Sequence, residues 1–236
     1  MARSQETRKA CLTAQLSEII GDASKKILLL VPDQSEFVHE KAVLLQYGSA
    51  AAGRIRVCGF SRLSLLLLQE NGVAVKPQID EAGRSVLMSL AVENAAGENS
   101  LYAAYAGRGK LMGNLLCARD EMRQYCLQPS DLLRVAEQIS GASLAQKTKE
   151  LALIFAAYDA LVNERFSDKS DRINMLTQLL KERDLFSDTV VLAYGFRGFT
   201  EQQYRCLEQI LKSSPSVHLY LCMEKNAEEE GPFAHS

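Results

Sequence analysis

The chain is 236 residues long, with a formal net charge of −2 at pH 7 and 47% hydrophobic residues, enough to bury one large core or two small ones. That charge excludes a global field that would draw the chain to nucleic acid or anionic lipid. No apolar run, that around Leu65 to Leu68 included, comes near the roughly 20 residues that span a bilayer, so a cytoplasmic protein is expected.

Residues 4–20 place Ala10, Leu12, Leu16, Ile19 and Ile20 at helical spacing, and Gly21-Asp22 ends the helix. Lys26 to Pro32 then holds an unbroken Ile-Leu-Leu-Leu-Val run, the pattern of a strand buried on both faces. A helix over Phe37–Tyr47 and a small-residue loop over Gly48–Gly53 are expected next. A strand over Arg54–Gly59 and a helix over Phe60–Glu70, closed by Asn71-Gly72, complete this part. Strand and helix alternate, which argues for parallel β-α units. The chain opens in a helix where a full repeat would open in a strand, and it ends soon after a strand. That is the pattern expected of a piece of a longer protein.

From Val75 to Phe186 no strand is expected. Helices are read at about 80–95, 110–125, 131–139, 144–163 and 171–181, with Pro129-Ser130-Asp131 as one helix start. The clearest carries Leu151, Ile154, Phe155, Tyr158, Leu161 and Val162 on one face. The α/β pattern then resumes with a strand over Thr189–Ala193, a helix over Glu201–Leu211 and a strand over Val217–Cys222. The fold class expected is α/β: a split parallel-sheet domain, residues 1–77 and 187–236, with an all-helical domain, residues 78–186, inserted. The tail from Glu224, with Glu228 to Glu230, reads as a solvated, frayed charge run.

The six cysteines (Cys11, Cys58, Cys117, Cys126, Cys206, Cys222) have no Cys-x-x-Cys pair, and His39, His218 and His235 are dispersed. Metal and iron–sulfur ligation need clustered ligands, so no metal site is expected and the cysteines read as free thiols. Phe166-Ser-Asp168 and Ser170-Asp171 are read as a loop with helix caps. A phosphate loop needs Gly-x-x-x-x-Gly-Lys-Ser/Thr. The chain offers Ala2-Arg-Ser-Gln-Glu-Thr-Arg8 instead, so ATP binding is not expected.

The junction Thr189 to Gln203 has the form strand, Gly-containing turn, helix N-terminus, with Thr200 and Gln203 in capping-box spacing. Such junctions carry the ligand sites of parallel sheets. In helicase-type motor domains the strand end holds an Asp-Glu pair for Mg²⁺; here the positions are Tyr194 and Gly195. Phe196 and Phe199 flank the turn, either as core or as stacking platforms for bases. Gln34 and Arg62 follow the first two strands at equivalent junctions. Brought to one sheet edge, Gln34, Arg62, Phe196 and Phe199 form a candidate single-strand DNA site.

Four segments, Leu30-Val-Pro-Asp-Gln-Ser-Glu-Phe37, Val57-Cys-Gly-Phe-Ser-Arg-Leu63, Lys149-Glu-Leu-Ala-Leu-Ile-Phe-Ala-Ala-Tyr158 and Tyr194-Gly-Phe-Arg-Gly-Phe-Thr-Glu-Gln-Gln203, resemble in order and spacing the N-terminal part of the AddB/RexB family. That family is the second subunit of the AddAB-type ATP-dependent helicase–deoxyribonuclease. The resemblance implies a helicase-like first domain with a helical insertion, generally not a motor. It would serve as scaffold and as part of the channel for the unwound strand in double-strand-break repair. It further implies an AddA-type subunit and DNA as partners. ATP and magnesium belong to the parent complex, and the family's exonuclease and iron–sulfur cluster lie outside this segment. In some members the region reads a recombination hotspot. This chain departs from the pattern at Glu36, where Thr is common, at Leu65, where Trp often follows the Phe-Ser-Arg motif, and at the missing phosphate loop. A P-loop-type ATPase and a DNA-independent protein–protein scaffold remain the rival readings.

Overall fold

A computed structural model of the chain describes residues 5–22, 24–95, 100–102, 108–166 and 169–221. The charged tail from Glu224, Cys222, His235, Ser167-Asp168 and residues 2–4 of the segment compared with a phosphate loop lie outside these residues. In chain order the elements are α1 (Gln5–Ile20), β1 (Lys26–Leu30), a 3₁₀ turn (Asp33–Ser35), α2 (Glu36–Ala52), β2 (Ile55–Cys58) and α3 (Phe60–Glu70). Then follow α4 (Glu81–Ala95), α5 (Gly109–Gln124), α6 (Pro129–Gln138), α7 (Ala142–Arg165) and α8 (Lys169–Glu182). The chain closes with β3 (Thr189–Tyr194), α9 (Glu201–Ser213) and β4 (Ser216–Tyr220).

The strands form one parallel sheet in the order β2-β1-β3-β4. Leu29 is flanked by Val57 and Leu192, so the most apolar run of the sequence occupies the middle of the sheet. Every residue of β3 is buried, as both-face coverage of a parallel sheet requires. The chain divides into two compact units, one of residues 5–71, 175–199 and 203–221, the other of residues 72–174 and 200–202.

In the first unit, Leu12, Leu16 and Ile19 of α1 and Val43 of α2 join Ile27, Leu29, Val31, Val57, Leu192 and Tyr194 in one core cluster. The thiols of Cys58 and Cys206 are buried, and burial pushes both up to about 12, which leaves them inert as nucleophiles. The loop expected at Gly48–Gly53 is instead a continuation of α2. Gly48 breaks the helical dihedrals at φ 74°, ψ 172°. Ala50, Ala51 and Ala52, the best helix formers, then carry the chain back into helix.

In the second unit the described elements between Gly72 and Asn174 are helices. Met88 and Val92 of α4, Met112, Leu115 and Leu116 of α5, and Ile154, Phe155, Tyr158 and Val162 of α7 form its core, with Leu151 and Leu161 partly buried against it. The same interior holds charge. Arg119, 2% exposed, donates to both carboxylate oxygens of Asp159 at 3.1 and 2.6 Å, and Arg123 donates to Asp159 at 2.7 Å. Arg84 pairs with Asp120 and donates to the Tyr158 hydroxyl at 3.2 Å. Glu150, also buried, accepts from the Leu101 amide at 2.9 Å. Helix α6 begins with Pro129 in its first turn, and Asp131 accepts from the Gln128 amide at 2.7 Å. That hydrogen bond holds the Asp131 carboxyl below its ordinary range.

Among the described residues, no helix is long and apolar enough to cross a membrane. No group of three or more His, Cys, Asp or Glu could hold a metal ion there either.

Candidate functional site

Three strand-to-helix turns leave the carboxyl ends of β1, β2 and β3, and the sequence decides how closely they approach. After β2, Gly59 is the N-cap of α3. A Cβ there would lie 1.8 Å from Asp33 Oδ1 and 2.9 Å from the Asp33 backbone, so only glycine lets the first turn close on the second. Asp33 then caps α3 from outside: Oδ2 accepts from the Ser61 hydroxyl at 2.5 Å and Oδ1 lies 3.4 Å from the Ser61 amide. Glu36 accepts from the Gly59 amide at 2.6 Å. Two carboxylates thus occupy the positive end of the α3 dipole.

Arg62 follows in the first turn of α3. Its guanidinium lies 3.6 Å from Glu36 and 3.5 Å from Glu40, so its charge is already balanced by two acids of α2. Gln34 sits in the 3₁₀ turn after β1 with its side chain exposed.

After β3, Gly195 takes φ +84°, the left-handed region that favours glycine, with its position against Pro32. Phe196 is 6% exposed and packs on Phe60 at 5.9 Å and on Phe199 at 4.8 Å between ring centroids. Its faces are spent on packing, so of the two readings, core or stacking platform, Phe196 takes the first and is a core residue of the turn. Phe199, half-buried and 6.2 Å from Phe60, is the ring of the pair that keeps exposed surface. Gln34 and Phe196 line common cavities; Arg62 and Phe199 line neither of them.

Two adjoining cavities follow this edge. One, of about 450 Å³, lies between the first and third turns and is lined by Asp33, Gln34, Arg197 and Gln203 among others. The other, of about 670 Å³, runs between α1 and α2 and shares Pro32, Gln34, Gly195, Phe196 and Arg197 with the first. Arg197 is exposed, and no ion pair of it occurs among the described residues. Sequence reasoning passes over Arg197, although it lies between the two phenylalanines that such reasoning singles out. The signal is the Gly-Phe-Arg-Gly context, which forces the arginine to a turn surface.

At the strand end Tyr194 is buried, 5.4 Å from the His39 ring and 6.3 Å from the Tyr220 ring. The end of β3 thus carries Tyr194 followed by Gly195, with no carboxylate at either position. His39 is held below its ordinary value, first by burial and then by the charge of Lys9.

A model of a protein family described as "ADDB, N-terminal" matches residues 2–235. Three curated relatives are each named as the B subunit of an ATP-dependent helicase/deoxyribonuclease. The Pelotomaculum thermopropionicum protein is 31% identical over 224 residues, covering 93% of this chain and 19% of the relative. The Desulforamulus reducens protein is 29% identical, covering 86% of this chain and 18% of the relative. The Clostridium tetani protein is 27% identical, covering 87% and 18%. The chain therefore spans about a fifth of the length of the curated relatives it matches.

Proposed function

The chain belongs to the AddB N-terminal family, and from that premise we propose that it is a non-catalytic region of an AddB-type helicase–nuclease subunit for double-strand-break repair. It acts as scaffold and as part of the path for the unwound single strand. In this reading residues 78–186 are a helical domain inserted into a helicase-like sheet domain formed by residues 1–77 and 187–236. The partners are an AddA-type subunit and DNA, and ATP and magnesium belong to the parent complex outside this segment.

The observation that carries this reading is the meeting of the first and third turns on one cleft, lined by Gln34 and Arg197, at the carboxyl edge of the sheet. That edge is where parallel sheets bind their ligands. Gln34 can pair with a base edge, Arg197 can contact a phosphate, and Phe199 can offer a π-face. Phe196 supports Phe199 from below, and Arg62 contributes less than its charge suggests because Glu36 and Glu40 balance it. A motor role is disfavoured by the buried Tyr194 and by Gly195 at the strand end, since phosphoryl transfer needs a metal-holding carboxylate there.

The test is made in the assembled enzyme. Gln34→Ala combined with Phe199→Ala should weaken single-strand binding about tenfold, since stacking alone is worth ~1–3 kcal/mol per base, while ATP turnover is unchanged. Binding equal to that of the parent enzyme would leave the DNA-independent scaffold as the better reading.

A further inference from the structure

The cavity between α1 and α2 differs from the chain as a whole in the sign of its charge. The chain carries 29 acidic and 27 basic residues, yet no Asp or Glu occurs among the described residues lining this groove, which include Lys9, His39 and Arg197. Its floor is apolar, formed by Leu12, Leu16, Leu29 and Val43. Gln46 and Thr13 supply polar groups. The volume of about 670 Å³ lies within the range of small-ligand sites, which combine an apolar lining with a few placed polar groups. His39 stands edge-on to Tyr194, at 5.4 Å and 78°, so the wall holds packed rings rather than a solvated charge.

A cationic rim selects an anion, and an apolar floor selects a ligand with a flat, poorly hydrated part. The groove is also continuous with the cavity at the carboxyl edge, through Gln34, Phe196 and Arg197. We propose that it takes up one nucleotide of a single strand crossing that edge, with the base turned out of the stack onto the apolar floor and the flanking phosphates at Lys9 and Arg197. This rests on the reading of the edge as a single-strand path and deepens it. Turning out a base of an unpaired strand costs only a few kcal/mol, which burial on the floor offsets.

The experiment uses the full chain at low salt and a short thymidine strand carrying a single 2-aminopurine. Binding should raise the 2-aminopurine fluorescence, because the base leaves its stack. Ala42 is exposed on α2 and lines the groove, so Ala42→Trp fills the space without entering the core. That variant should abolish the rise and weaken binding about fivefold, with an unchanged thermal melt. Lys9→Ala with Arg197→Ala should lower the log–log salt slope by about 1.4, at ~0.7 per lost single-strand phosphate contact. A rise that persists in Ala42→Trp, or no rise in the parent chain despite binding, overturns the groove proposal alone. In that case weakened binding in Gln34→Ala with Phe199→Ala still supports the carboxyl-edge path. No strand binding by the parent chain overturns the groove proposal, while the carboxyl-edge path stands or falls on the double variant in the assembled enzyme.

Discussion

At Gly59 one methyl group decides whether two turns can meet. A Cβ there collides with the Asp33 carboxylate and with its backbone, and the carboxylate is itself held by Ser61, so neither side yields cheaply. Gly59→Ala should therefore destabilise the first unit by about 1–3 kcal/mol, the usual cost of overpacking, with about 1 kcal/mol more if the Ser61 cap is lost. A urea midpoint unchanged from the parent chain would contradict the close approach. The Gly-Phe-Ser-Arg stretch is legible as a strand-to-helix junction because Gly and the helix signals lie next to one another. What Asp33 and Glu36 do is not legible, since their partners Ser61 and Gly59 lie more than twenty residues away in sequence. Glu36 illustrates the consequence. Against the family pattern it reads as a lost hydroxyl; in the fold it supplies the acceptor for the Gly59 amide. Phe196 and Phe199 look equivalent in sequence and both rings pack on Phe60; only the depth of burial in the fold separates the core ring from the half-exposed one.

β1 and β3 can be placed from sequence to within one or two residues, because nearly unbroken apolar runs such as theirs have no other stable place than a sheet covered on both faces. The same reading cuts α2 short. A glycine followed by small residues resembles a loop, while three alanines after one non-helical dihedral still propagate a helix. Helix α5 hides a different feature. Arg119 and Arg123 sit in a segment rich in charge, where sequence gives no reason to bury them; the reason is Asp159, on α7. Removing a buried pair's partner leaves an uncompensated charge, so Asp159→Ala should cost about 3–5 kcal/mol. Asp120→Ala should cost less, because the Asp120 side chain is 37% exposed and water replaces part of what is lost. Thermal melts of the two variants check this; equal losses would mean that Asp159 does not anchor the helix pair.

The two compact units each draw their core from their own elements. The cluster on α4, α5 and α7 includes no sheet residue, and the ion pairs of Arg119 and Arg123 with Asp159 join two of the same helices. Residues 72–174 produced alone should therefore melt cooperatively as a helical body. A gradual, featureless loss of the far-ultraviolet signal would show that the helices depend on the sheet. The parting of the chain into strand-bearing and strand-free stretches is visible in the apolar patterning. That α8 divides between the units is not, because Leu176, Thr177 and Leu179 are ordinary amphipathic-helix residues whose partners the sequence does not name.

The capping of α3 by Asp33 and Glu36 has a consequence for anything negatively charged that reaches the carboxyl edge. A helix N-terminus ordinarily welcomes phosphate, and this one has been supplied with resident anions instead. Arg197, with no ion pair among the described residues, stands two strands away, by β3. The edge is therefore polarised across its width, repelling over β2 and attracting over β3. A polyanion laid against it would meet one preferred lane and one preferred orientation from charge alone, and raising the salt concentration should blur that preference.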